Sequence, residues 1–226
     1  MKRIFTLLAL VFCFVSAFAY VEVDGIYYNL DPENMTAQVT ADNWWYRKYS
    51  GDIIIPESII SSDQEYIVNG IGNFAFGECK DLTSISIPNS VTSIGKEVFY
   101  ACHSLTCVEI PSGVTSIGKS AFYGCSSLIV VNLPEGLSRI EDDTFRNCSS
   151  LTDVEIPNSV TSIGESVFAG CYSLAHIEIP GSLLSIGNSS FYHCTSLTSI
   201  EIPSSVTSIG ASAFLLLSLP AQNTQY

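Results

Sequence analysis

The sequence predicts a solenoid: about seven stacked coils, each a short strand, a turn, an extended stretch and a helical turn. Three observations predict it. Cysteines stand at 79, 102, 125, 148, 171 and 194, each 23 residues from the last. Phenylalanines at 76, 99, 122, 145, 168, 191 and 214 keep the same period, and so do prolines at 88, 111, 134, 157, 180 and 203. The nine residues IPNSVTSIG occur at 87–95 and again, unchanged, at 156–164, three periods later. Chance does not lock three residue types to one period.

The chain opens with a segment read as a secretory leader. Lys2 and Arg3 form a basic start, Ile4 to Val15 an apolar run, and Ala17-Phe18-Ala19 a small-residue cleavage pattern, so residues 1–19 are assigned to a signal peptide cut near Ala19. The apolar run is about twelve residues, short of the roughly 20 that cross a membrane. Cys13 follows Phe12, not the small residue that a lipid-anchored cysteine wants, so lipidation there is set aside. No membrane span is expected. Removing Lys2 and Arg3 with the leader takes the formal charge from −13 to −15. That balance argues against nucleic acid and anionic lipid, and favours a basic partner. With 47% hydrophobic and 14% charged residues the chain has the means to build a core.

Residues 20–58 do not repeat and are read as a β-rich N-terminal cap over the first sheet edge. Asp24-Gly25 marks a hairpin, and Thr36–Thr40 and Ile53–Ile55 read as further strands. Trp44 and Trp45 are read as cap core, with an aromatic binding platform as the alternative. Residues 59–214 are the array, its first and last units irregular. From Pro56 to Gly72 is 16 residues, whereas Pro88 to Gly95 is 7, so the first coil carries an insertion with Ser61–Tyr66 as its polar tip.

In the unit starting at Leu82, LTSISIPNSVTSIGKEVFYACHS, apolar residues hold positions 1, 4, 6, 10, 13 and 18, with Cys at 21. Positions 4 and 6 flank a polar position 5, which is strand periodicity. Pro at position 7 lacks the N–H that would continue a ladder. Gly at position 14 suits a turn or a close backbone approach. From there the i, i+3 spacing to Phe and Cys fits a short helical or 3₁₀ turn.

These motifs carry a resemblance. L-x-x-I-x-I-P, as in Leu82 to Pro88, followed by V-T-S-I-G-x-x-x-F-x-x-C-x-x-L, resembles the 23-residue class of BspA-like leucine-rich repeat proteins of bacterial surfaces. The resemblance implies a leucine-rich repeat solenoid of right-handed coils with a parallel β-sheet on one face. It also implies a secreted or surface protein, among relatives that include adhesins for host matrix proteins or for other cells. After Phe214 the pattern stops: Leu217 stands where Cys is due, and residues 215–226 form a divergent tail, read as truncation of a longer ancestor or as a natural end whose leucines dock on the last coil or a partner.

Stacking turns sequence columns into stripes about 4.8 Å apart along the axis. Position 5 reads Ser86, Glu109, Asn132, Glu155, Glu178, Glu201; position 3 reads Ser84, Cys107, Val130, Asp153, His176, Ser199. Both point outward on the strand face. Glu109, Asn132, Asp153, Glu155, His176, Glu178 and Glu201 are therefore the candidate contacts for a protein partner, and Asp153 is expected to reach His176 on the next strand. One carboxylate stripe offers too few oxygens for a hard cation, so no metal or cofactor is assigned. Cys107 lies three strands from His176, about 14 Å, too far for proton transfer. Ser199, His176 and Asp153 fall in line, but a sheet face has spent its N–H groups in the ladder and offers no oxyanion donors. No catalytic residue is assigned. The cysteine column is read as buried free thiols, with Cys107 exposed outside it. The fourth coil, residues 128–150, diverges: Arg139 and Arg146 enter and Glu141 replaces the glycine, which we read as drift over an intact core. A second surface, the tyrosines at 100, 123 and 192 on the helical-turn side, supports the alternative of a carbohydrate-binding module.

Overall fold

The computed structural model describes residues 19–41 and 49–217; the leader, Trp44, Trp45 and the tail beyond 217 lie outside them. Strands β1 (Ala19–Val23), β2 (Ile26–Asp31) and β3 (Thr36–Thr40) form an antiparallel meander. Its first turn is Asp24-Gly25, both with positive φ, as a two-residue hairpin requires. Then come β4 (Gly51–Ile54), β5 (Ser58–Ser61) and β6 (Gln64–Ile71), β5 and β6 being the hairpin of the insertion, closed over Ser62-Asp63. The regular coils supply β7 (Leu82–Ser86), β8 (Ser93–Ile94), β9 (Cys107–Glu109), β10 (Ser116–Ile117), β11 (Val130–Asn132), β12 (Arg139–Ile140), β13 (Asp153–Glu155), β14 (Ser162–Ile163), β15 (Ser185–Ile186) and β16 (Ser208–Ile209).

Each coil contributes to two parallel sheets. On the strand face β4, β7, β9, β11 and β13 lie side by side, extended by a single bridge from Glu155 to Glu178. The two-residue strands at unit positions 12 and 13 stack into a second sheet, divided between β10 and β12. The N-terminal strands are not a separate cap. β4 pairs in parallel with β7, and β3 pairs in parallel with β6, so the strand-face sheet continues to β4 and the second sheet continues through β3 to the first residues described.

The expected helical turns are not there. Residues 16 to 21 of each unit instead alternate their backbone donors. In the second coil the Tyr100 and Cys102 N–H groups reach back three residues to Glu97 and Phe99. The Glu97, Phe99 and Ala101 N–H groups leave the coil for the carbonyls of Lys119, Ala121 and Tyr123. A helix would keep all of these bonds to itself. What prevents it is a left-handed residue at positions 16 and 20: Glu97 and Ala101, with φ of 55° and 54°, and their equivalents in every other coil. The turn face is thus a third ladder between coils.

Inside, the repeated columns pack as the periodicity predicts. Seven phenylalanines from Phe76 to Phe214 form one continuous stack, centroids 5.2 to 5.6 Å apart and planes within 20° of parallel. Beside it six cysteines are buried and free, and Cys107 alone among the described cysteines is exposed. Each thiol from Cys102 to Cys194 donates to the carbonyl of the preceding coil's phenylalanine at 3.0 to 3.2 Å. Cysteine fits because it is small, apolar and still a donor. Position 17 is buried as well and escapes the hydrophobic pattern, since Thr144 and Ser190 occupy it; their hydroxyls donate to backbone carbonyls at 2.6 and 2.7 Å.

The glycine at position 14 is resolved in favour of close approach. A Cβ on Gly95 would lie 2.6 Å from Asn73 Oδ1 and 2.7 Å from Asn73 N on the preceding coil. None of the glycines from 95 to 210 at this position has positive φ.

Candidate functional site: the strand face

Alternation along each strand places position 4 inside and positions 3 and 5 outside, and parallel pairing in register lines them up. Cys107, Val130 and Asp153 form one row; Glu109, Asn132 and Glu155 form the next, with Glu178 bridged to Glu155. Asp153, Glu155, His176, Glu178 and Glu201 are all exposed, Glu178 with 86% of its side chain in solvent. The structure brings the predicted residues to one face. It parts from the expectation at His176, whose Nε2 lies 3.6 Å from Glu178 on its own coil; Asp153 is not its partner. The reason is local: residues 174–178 make only a bridge with β13, so His176 is not held opposite Asp153 by a ladder.

Electrostatically the face changes along its length. Its first strands present Asp52, Ile54, Ser84 and Ser86; from β13 onward it is acidic. Asp52 is already engaged, accepting from Thr83 Oγ1 at 2.8 Å and Ser84 Oγ at 2.6 Å, and these bonds hold its carboxyl below the usual carboxylate range. Between the two halves lies a shallow groove of about 340 Å³, bounded by Ser84, Ser86, Cys107, Glu109, Val130 and Asn132. Sequence reasoning placed Val130 outward beside the polar rim but missed Ile129, which exposes apolar surface next to it. A polar-out alternation gives no warning of that residue standing outside.

The acids of the fourth coil are paired. Lys119, Arg139 and Arg146 pair with Glu141, Asp142 and Asp143 at 3.1 to 3.8 Å, away from the strand face. Among the described residues no lysine or arginine pairs with Glu109, Asp153, Glu155, Glu178 or Glu201.

On the turn face two tyrosines of the stripe are engaged with their neighbours. Tyr100 stacks on Tyr123 at 5.0 Å, and the Arg146 guanidinium covers the Tyr123 ring at 5.8 Å. Asn147 donates to the Tyr123 hydroxyl at 3.3 Å. Tyr192, farther along, is exposed.

A family model described as a BspA-type leucine-rich repeat region matches six copies, over residues 52–175 and 127–223. The chain belongs to the BspA-type leucine-rich repeat family. Solved structures of bacterial leucine-rich repeat proteins agree. A leucine-rich cell surface protein of Faecalibacterium prausnitzii is 34% identical over 89% of this chain and 53% of its own, with a TM-score of 0.77. A T. pallidum leucine-rich repeat protein is 29% identical over 90% and 92%, with a TM-score of 0.78. One from Eubacterium ventriosum is 26% identical over 92% and 52%, with a TM-score of 0.75. The chain spans about half the length of the first and third of these. None of the curated proteins matches it. Of these relatives, the Faecalibacterium prausnitzii protein is described as a cell surface protein. No described helix is long and apolar enough to cross a membrane.

Proposed function

We propose that this chain is a secreted or surface-exposed scaffold, released by cleavage near Ala19, that binds a protein partner on host matrix or on other cells through its strand face. One observation carries the reading: the exposed acids Asp153, Glu155, Glu178 and Glu201 stand together on one sheet face, and among the described residues no lysine or arginine pairs with them. Like charges about 4.8 Å apart disfavour one another unless solvated or met by a cation, so a basic surface gains by covering them. Glu109, Asn132 and His176 complete the contact surface. In this reading β1 to β3 shield the first sheet edge from unwanted strand addition.

The test is a pull-down from extracellular matrix and neighbouring cells with residues 20–226, beside the same chain carrying Glu155→Gln, Glu178→Gln and Glu201→Gln. Retention of a basic protein by the parent, weakened about tenfold or more in the triple variant and by added salt, is expected. Equal retention by both would remove the strand face from the interaction.

A further inference from the structure

Every described coil junction from the first coil to the last closes the second sheet, except one. At position 11, Thr92 donates to Asn69, Thr115 to Thr92, Thr161 to Ser138, Leu184 to Thr161 and Thr207 to Leu184, at 2.9 to 3.0 Å. At position 14, Gly95, Gly118, Gly164, Gly187 and Gly210 donate to the isoleucine carbonyl of the coil before, at 2.8 to 2.9 Å. Among the described residues the two equivalents between the third and fourth coils are missing: Ser138 to Thr115, and Glu141 to Ile117. There, too, β10 and β12 fail to pair and the second sheet divides.

The cause is one atom. A Cβ on Gly118 would stand 2.6 Å from the Gly95 carbonyl carbon and from Lys96 N, and on Gly164 it would stand 2.7 Å from Asp142 N. Position 14 of the fourth coil is Glu141, which carries that Cβ, so its backbone cannot come as near. The other two ladders stay closed. β9 pairs with β11, and Ile129 donates to Thr106 at 3.0 Å. On the turn face Ser120, Phe122 and Gly124 donate to Asp142, Thr144 and Arg146 at 2.8 to 3.0 Å. Beside the open edge stand two ion pairs from the exposed Lys119, to the half-buried Asp142 at 3.8 Å and Asp143 at 3.4 Å.

We propose that this junction is a hinge. Coils one to three and coils four to seven turn against each other about the two closed ladders, while the second-sheet edge between Thr115–Gly118 and Ser138–Glu141 opens and closes. The closed strand-face ladder at the hinge is β9 to β11, which lines the groove between the first strands and the acidic stretch that starts at β13. The curvature of the binding face therefore adjusts at its own boundary.

Hydrogen–deuterium exchange on the full chain tests this. Amides 138 and 141 exchange faster than 115 and 118, or 161 and 164, in neighbouring coils. Glu141→Gly lets the backbone close and slows 138 and 141 by about tenfold, the worth of one ordinary regained hydrogen bond. Glu141→Ala keeps the Cβ while deleting the carboxylate, and leaves both amides fast. Gly164→Ala opens the next junction and speeds 161 and 164. Protection at 138 and 141 equal to that of neighbouring coils in the unmodified chain overturns the hinge, whether or not the variants fold. So does a folded Glu141→Gly chain that exchanges as fast as the parent, or a Glu141→Ala chain as protected as Glu141→Gly.

Discussion

Ala101 holds φ at 54°, and Gly124, one coil on at the same position, holds 71°. The left-handed conformation costs an L-residue roughly 1–2 kcal/mol and glycine almost nothing, though glycine returns part of the gain through its freer unfolded state. Ala101→Gly should therefore raise stability by up to about 1 kcal/mol, and Gly124→Ala should lower it by about as much or more. Urea midpoints at constant slope would show both. Nothing in the sequence announces these positions. Position 16 holds Glu97, Ser120, Asp143 and Ser189, and position 20 holds Ala101, Gly124, Asn147 and His193. The bonds to the next coil impose the conformation, whatever the residue. The thiols make a second prediction. Burial pushes Cys125 and Cys194 up to about 12, and raises Cys148 and Cys171 well above the ordinary value of 9.0. The folded chain keeps protons that the unfolded chain gives up. This contribution is whole below about pH 9 and drains away as pH rises toward about 12, by about 1.4 kcal/mol per thiol per pH unit. Urea midpoints taken up the alkaline range should fall steeply, and Cys125→Ala should flatten that slope by one thiol's share.

At the scale of the element, the phenylalanine stack and the alternating strand were readable, because inward columns tolerate little change and keep their period. Phe145 lies fully buried between Phe122 at 5.4 Å and Phe168 at 5.6 Å. Phe145→Ala should cost about 3–5 kcal/mol, a transfer loss plus a cavity that its stacked neighbours cannot fill. Calorimetry would give the shift in melting temperature. The turn was misread for a definite reason. The i, i+3 spacing of Phe99 and Cys102 fits a helical turn and a run of three-residue turns equally well. Only the direction of alternate N–H groups separates the two, and side-chain pattern carries no record of it. The outward rows were readable from the alternation, whereas the groove at Cys107 and Val130 arises from how neighbouring coils pack.

The whole molecule is a sum of coils and junctions, each coil touching only those beside it. Excising residues 128–150 removes one complete period, brings Gly164 onto the third coil, and eliminates the junction at which the second sheet is open. The shortened chain should fold, with a denaturant slope reduced in proportion to its length and a midpoint no lower than the parent's. A midpoint well below it would mean that the fourth coil supports its neighbours in some way beyond its own two junctions. What the sequence cannot convey at this scale is the partner, because the repeat defines the frame and leaves recognition to a few outward residues.

The three ladders that join coil to coil also decide how the molecule meets a pull. Their hydrogen bonds run along the long axis, so tension between the two ends bears on each bond lengthwise and opens one junction before the next. Each coil that peels away yields about 23 residues of thread, roughly 75 Å beyond the folded rise. The junction at Glu141, which lacks its second-sheet bonds, and the junction between the sixth and seventh coils, which lacks strand-face pairing, give first. A tether built this way lengthens in steps under load and keeps the remaining coils folded.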